Sequence, residues 1–291
     1  MAESLTRIIL DTDLAMGAPG SPVDDGFALA LAVADPGIRL ELVTTVGGNS
    51  NVQMVTELTT NLLGVLRQTE MPVVQGAAEP VNPAAAEIVA RVMSEPGELT
   101  IMAIGPLTNI ASALQLDPSV ATAVREIVVM GGVFLDQTRS AEYNFKCDPD
   151  AAQIVLDSGA ALRLVGLDVT EKVRFTRADT KQLARGGGFG QYAANHAEAR
   201  ISKHQTISHA ESEQDSFALH DPLAVAVVTR PDLVTWLDAY VTVETGPVTP
   251  GSVIVDLLTK ENPPGANCRI ATEVDVDGFR ELFFERMAAL R

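Results

Sequence analysis

Short apolar runs alternate with amphipathic stretches along most of the chain. RIIL (7–10) reads as a buried strand. DDGFALALAVAD (24–35) reads as a helix with two acids in its first turn, where the helix dipole favours them. The strand pattern recurs in LELVTTV (40–46), MPVVQG (71–76), LTIMAIG (99–105), EIVVMGG (126–132) and LRLVGLDV (162–169). Helical stretches fall between them at 51–67, at 83–95, from Pro106, and at 148–159, the last with Pro near its start and Gly past its end. This β-α-β-α order predicts an α/β fold, a mostly parallel central sheet with helices on both faces and right-handed crossovers. Ligands of such sheets bind beyond the carboxyl ends of the strands. That rule selects Asp11 and Asp13, GGN (47–49), Ile104, MGG (130–132) and LDVT (167–170).

The pattern changes over 171–220, which is polar and holds His196, His204, His209 and GGGFG (186–190). Helices and a mobile, lid-like loop are expected there. A helix returns in HDPLAVAVV (220–228), followed by strand-like runs at 239–245, 252–257 and 269–275 and a last amphipathic helix from 277. No repeat, low-complexity tract or linker interrupts the pattern, so a single domain over 1–291 is expected.

Charge narrows the partners. The formal net charge is −17, which disfavours nucleic acid and anionic membrane and makes a cation the natural guest. The two cysteines, Cys147 and Cys268, lack zinc-site spacing and are expected to be free thiols in a reducing cytoplasm. The first residues, MAESLTR, do not form a signal peptide, and no apolar run reaches transmembrane length.

Four aspartates, Asp11, Asp13, Asp24 and Asp25, crowd one strand end and one helix start. Carboxylates so placed repel one another unless a proton or cation intervenes. Asp24 and Asp25 could be plain helix-terminal acids, and Asp11 and Asp13 turn formers. Hard oxygen donors without Cys or His point to Ca²⁺ or Mg²⁺ rather than zinc. HDP (220–222) adds a carboxylate and an imidazole at a helix start; alone it is a cap. TTVGGNSN (44–51), GPLTNIA (105–111) and EYNFKCDPDAA (142–152) are each ordinary turns or caps by themselves.

In this order the pieces resemble one family, the calcium-dependent nucleoside hydrolases of the inosine-uridine preferring type. The family pattern of Asp-x-Asp, a short loop and Asp-Asp opening a helix matches Asp11-Thr12-Asp13 and Asp24-Asp25. TTVGGN, GPLTNIA, VVMGG, EYN…DPDAA, GLDVT and HDP follow, spanning roughly residues 7–228. The resemblance implies a Rossmann-like nucleoside hydrolase fold and hydrolysis of ribonucleosides to base and ribose in nucleoside salvage. It implies Ca²⁺ held by Asp13, Asp25, Asp221 and the carbonyl of Ile104, with Asp13 as general base toward water. Asp24, Asn49 and Asn144 would bind ribose hydroxyls, Glu142 the 5′-hydroxyl, and Met130 would lie beside the sugar. His220 would protonate the leaving base. A homodimer or homotetramer is expected on the same ground.

The chain departs from the family pattern around the base. The loop LAMGAPGSPV (14–23) has ten residues against about three, and is expected to move or to reshape substrate choice. The segment 76–99 lacks the usual His-Gly flap, and Glu171 stands where a histidine is common. Two other readings compete. A haloacid-dehalogenase-like phosphatase also places Asp-x-Asp after its first strand, but no lysine occurs between Met1 and Phe145. A non-catalytic nucleoside- or ribose-binding protein is the other. Trp236 is read as packing.

Overall fold

The computed structural model describes residues 5–77, 82–136, 140–207, 215–256 and 265–290. Its main sheet has nine strands in the order β10-β9-β11-β6-β5-β4-β1-β2-β3. The parallel body comprises β1 (Thr6–Thr12), β2 (Ile38–Thr45), β3 (Val73–Gln75), β4 (Leu99–Ala103), β5 (Glu126–Met130) and β6 (Leu162–Val165). The last strand, β11 (Cys268–Val274), joins β6 in parallel. It pairs antiparallel with β9 (Val234–Val243), which pairs antiparallel with β10 (Val253–Asp256).

Period-two alternation divides the core. Ile8 and Leu10 of β1 face one apolar layer and Ile9 faces the other. The first layer holds α1 (Asp24–Ala34), α11 (His220–Thr229) and α12 (Val276–Ala289), and the second α3 (Pro83–Ser94), α4 (Thr108–Leu116) and α7 (Pro149–Asp157). Helices therefore cover both faces. Because α1 is apolar all round, its residues Asp25–Ala32 are buried.

Several boundaries differ from those the pattern predicts. Strand β1 runs on to Thr12, so Asp11 lies inside the sheet, paired with Thr44 and Ala103. Strand β6 stops at Val165, and Leu167–Thr170 turns into one helical turn, α8, because Gly166 breaks the strand. Tyr143–Cys147 form a short helix, α6, where only a loop was expected. Strand β9 starts at Val234, ahead of the expected 239, so Trp236 is a strand residue. Its Nε1 donates to the Pro231 carbonyl at 2.9 Å and Arg163 lies over its ring, which fits a packing role.

The polar region 171–220 carries α9 (Arg177–Leu183), α10 (Gly188–Ile207) and an unexpected small antiparallel sheet of β7 (Arg174–Thr176) and β8 (Ser216–Ala218). Phe27 of α1 meets Phe175, Phe189 and Phe217 of this region at ring distances of 5.2, 6.5 and 6.4 Å. These aromatic contacts anchor its described part to the core rather than leaving it as a loose lid. The side chain of His204 and all of His209 lie outside the described residues. His196 packs against Tyr192 with ring centroids 4.5 Å apart and tilted by 56°, and does not line the cleft described below.

Loop 14–23 is also packed. Leu14, Ala15 and Met16 are buried. Gly17 turns at φ +121° where any side chain would strike Leu58 of α2 (Val52–Val65) and crowd Tyr192. The loop wedges between α2 and α10.

Candidate active site

Strand β1 lies between β2 and β4, the point where the strand order reverses direction from the first crossovers. Crevices form at such switch points. The carboxyl ends of β1, β2, β4 and β5 deliver Asp13, Asn49, Ile104 and Met130 to one cleft of about 320 Å³, which is of small-molecule size. The starts of α1 and α11 add Asp24, His220 and Asp221, and the turn into α6 adds Glu142 and Asn144. Every residue to which the resemblance gives a metal, catalytic or substrate role lines this cleft except Asp25, which is buried behind it. Pro22 of the long loop forms part of the wall, as do Tyr143, Leu167, Glu171 and Arg200.

The floor is a desolvated carboxylate cluster. Thr12 Oγ1 donates to Asp25 Oδ1 at 2.7 Å, and Asn49 Nδ2 donates to Asp25 Oδ2 at 3.1 Å. The Asn49 backbone N–H donates to Asp13 Oδ2 at 2.7 Å. Gly48 carries no side chain here because the Asp13 carboxylate abuts its Cα. Burial pushes Asp13 up to about 7, and holds Asp25 and Asp221 well above the usual carboxylate range, with mutual repulsion adding to both.

Oxygens of Asp24, Asp25 and Asp221 come within 4.8 Å of one another. This grouping contains Asp24 rather than the Asp13 of the sequence-based set. Asp13 accepts from the Asn49 amide, and its charge acts on both Asp25 and Asp221. The donors are all hard oxygens in an anionic, buried setting, and they fit a divalent cation. The Ile104 carbonyl is oriented toward the same cleft by Asn144 Nδ2, which donates to it and to the Met130 carbonyl, both at 3.1 Å. Asn144 thus spends its amino group on the scaffold and keeps its Oδ1 for a ligand.

Glu142 caps α6, accepting from the Asn144 and Phe145 amides at 2.8 and 3.1 Å and from Gly132 at 3.1 Å. Its fold role and its place on the wall coexist. His220 Nδ1 is hydrogen-bonded to Thr170 Oγ1 at 2.8 Å, which fixes the ring plane.

Sequence reasoning missed the support beneath the aspartates. Asp11 is fully buried, accepts from Thr44 Oγ1 at 2.5 Å and Asn109 Nδ2 at 2.7 Å, and leaves Oδ2 without a partner. Asn82 Nδ2 in turn donates to Asn109 Oδ1 at 2.8 Å. The motif GPLTNIA contained Asn109, but nothing local distinguished it from a helix-start polar residue. Thr170 stood in DVT and was equally silent. Arg200 lay in a mixed polar helix with no motif.

A pH dependence follows. Burial raises both Asp11 and Asp13 from 3.8 to about 7. Between pH 4 and 7 the folded chain holds protons that the unfolded chain releases, so it gains stability from acid. The cation-free protein is therefore expected to lose melting temperature as pH rises through 4–7. The loss should reach several degrees, at roughly 2 °C per kcal/mol for a chain of this size. Saturating cation should flatten the curve. Thermal melts in chelator at pH 5 and pH 8 test this; equal midpoints would refute it.

The comparisons with known proteins agree with this geometry. The family model described as inosine-uridine preferring nucleoside hydrolase matches residues 8–281. The chain is 33% identical to the probable uridine nucleosidase 2 of Oryza sativa subsp. japonica, over 88% of this chain and 83% of that one. It is 33% identical to the non-specific ribonucleoside hydrolase RihC of Salmonella newport, over 97% of each chain. The solved purine-preferring ribonucleoside hydrolase from Gardnerella vaginalis superposes with a TM-score of 0.86 at 28% identity, covering 98% of each chain. Among the described residues no helix is long and apolar enough to cross a membrane. With the carboxylate-floored cleft at the sheet's switch point and a match over nearly its whole length, the chain belongs to the inosine-uridine preferring nucleoside hydrolase family.

Proposed function

We propose that this cleft hydrolyses the N-glycosidic bond of ribonucleosides by direct attack of water, in nucleoside salvage. The observation that carries the reading is the convergence of Asp13, Asp24, Asn49, Asn144 and His220 on one cleft above buried, cation-seeking carboxylates. Asp13, Asp25, Asp221 and the Ile104 carbonyl would hold Ca²⁺, with Asp24 close enough to share it. When bound, the ion orients the ribose diol and makes a neighbouring water more acidic.

The chain's own groups perform the rest. Asp24, Asn49 and the Asn144 Oδ1 accept from or donate to ribose hydroxyls, and Glu142 accepts from the 5′-hydroxyl. Asp13 takes a proton from water, whose oxygen bonds to C1′ as the C1′–N bond breaks. The bonding pair leaves on the base nitrogen. His220 would supply that nitrogen with a proton from Nε2 as the imidazolium, its Nδ1–H donating to Thr170 Oγ1, and would be left as neutral imidazole. The sugar passes through an oxocarbenium-like state that the surrounding carboxylates stabilise.

The cation-site carboxylates have no arginine or lysine ion pair among the described residues. That supports a bound cation over a purely structural cluster. The two thiols, exposed Cys147 and buried Cys268, are free, which fits a cytoplasmic setting. A single catalytic domain and a homo-oligomer complete the proposal.

The test is a panel of ribonucleosides scored for free base and free ribose with Ca²⁺, with the anomeric form of fresh product read by proton NMR. Ribose released first as the α-anomer, by inversion, is expected. Binding without turnover across the panel would instead favour a nucleoside-binding protein.

A further inference from the structure

Helix α8 is a single turn of four residues, and both of its polar side chains engage neighbours at the cleft. Asp168 accepts from the Phe134, Leu135 and Asp136 amides at 2.8, 2.9 and 3.3 Å. The Leu167 N–H donates to the Gly132 carbonyl at 3.0 Å. These bonds clamp the turn to the loop that follows β5. Beyond its other end, the Thr170 carbonyl accepts from the Val173 amide at 3.2 Å, and the Val173 carbonyl from the Leu219 amide at 2.9 Å. The residue ahead of His220 is thus tied to the turn that carries Thr170.

What the backbone leaves open is the ring. An imidazole can turn half a revolution about its Cβ–Cγ bond, which puts a carbon where each nitrogen stood. Thr170 Oγ1 tells the two settings apart. It bonds Nδ1 at 2.8 Å, and in the turned ring it would meet only a C–H. Thr170 is fully buried and β-branched, so its hydroxyl has little freedom to follow a turned ring. With Nδ1 committed, Nε2 is the nitrogen that His220 can present to the cleft it lines. The Nδ1–H donates to Thr170 both before and after Nε2 gives up its proton, so the ring stays put through the transfer. Thr170 itself does not line the cleft. We infer that Thr170 is a positioning residue: its hydroxyl fixes the His220 ring with Nε2 toward the leaving base, and thereby sets how well the departure of a basic leaving group is assisted. The inference rests on the hydrolase reading.

A packing role for Thr170 predicts the opposite order of variants. Thr170→Val keeps the shape and removes the hydroxyl, whereas Thr170→Ser keeps the hydroxyl and removes a methyl group. Two kinds of substrate separate the roles further. The bases of inosine and uridine need a proton to leave well, and p-nitrophenyl riboside expels a phenolate that does not. Steady-state kinetics in saturating Ca²⁺ compare the wild type, both variants, His220→Ala and the double variant His220→Ala/Thr170→Val. On inosine or uridine, Thr170→Val should lower kcat by about 10- to 100-fold, part of what a general acid supplies, with KM within about threefold. On p-nitrophenyl riboside its kcat should stay within about threefold of wild type, because that step uses no acid. Thr170→Ser should stay within about fivefold of wild type on every substrate, since the hydrogen bond survives. In the His220→Ala background, Thr170→Val should add less than about twofold, as expected of a residue that acts through the histidine. Circular dichroism checks that each variant is folded; if Thr170→Val is not, Thr170→Ala replaces it and should show the same loss. A serine variant slower than the valine one overturns the proposal. So does a valine loss that is equal on nucleoside and p-nitrophenyl riboside, or that persists in full without His220. A wild type that cleaves p-nitrophenyl riboside alone gives a basic leaving group no help and overturns it too. All of these leave riboside hydrolysis standing. A wild type that releases ribose from none of the three refutes the hydrolase reading itself.

Discussion

Asp13→Asn is expected to lower kcat for ribonucleosides by about 10²–10⁴-fold, the usual contribution of a general base. Asparagine keeps the size and can still meet the Asn49 amide through its carbonyl oxygen, so the fold should persist. It cannot take a proton from water. It also removes one charge from a cluster in which Asp13 repels Asp25 and Asp221. The cation-free variant should therefore melt at or above the wild-type temperature near neutral pH. Less activity with equal or greater stability is the signature of a residue kept for chemistry at the expense of the fold. Steady-state base release together with thermal melts reads both sides. Activity within fivefold of wild type would remove Asp13 from the role of base.

Chelation is expected to abolish turnover altogether, and Ca²⁺ to restore it. Cation at about 100 times its dissociation constant adds about 2.7 kcal/mol to stability. For a chain of this size that corresponds to a rise in melting temperature on the order of 5 °C. The gain should shrink below pH 6, where protons on Asp13 and its neighbours compete for the same oxygens. Full activity after exhaustive metal removal would overturn the cation's part in the reaction.

Much of this was legible in the sequence because the signals were local and periodic. The strands of the parallel body read as apolar runs since both faces of the sheet are covered, and α1 and α11 read as helices by length and composition. The cleft residues were legible because short ordered motifs sit at strand ends. The elements missed share another cause. Strands β7 and β8 have three residues each and pair across a separation that no local pattern reports. Helix α6 is five residues long and owes its start to the Glu142 cap. Asp11 was legible as half of the Asp-x-Asp pair, but its partners Thr44, Asn109 and, beyond them, Asn82 come from separate segments. The long loop 14–23 was expected to move or to reshape the pocket. Its own Leu14 and Met16 are buried, and of its residues Pro22 lines the cleft. Thr170 and Arg200 were invisible for the same reason as the asparagines: their meaning is tertiary.

The position of β11 has a consequence for how the chain comes to be folded during synthesis. This strand, Cys268–Val274, follows every other described strand in the chain, yet it lies between β6 and β9 inside the finished sheet. Until it emerges from the ribosome, β6 is an open edge, and β9 and β10 have no route to the parallel body. Six parallel strands must wait with one flank unpaired, a template for association with other nascent chains. The N-terminal half holds most of the cleft residues but cannot complete its own architecture. The chain must be made as far as Val274 before the sheet can close.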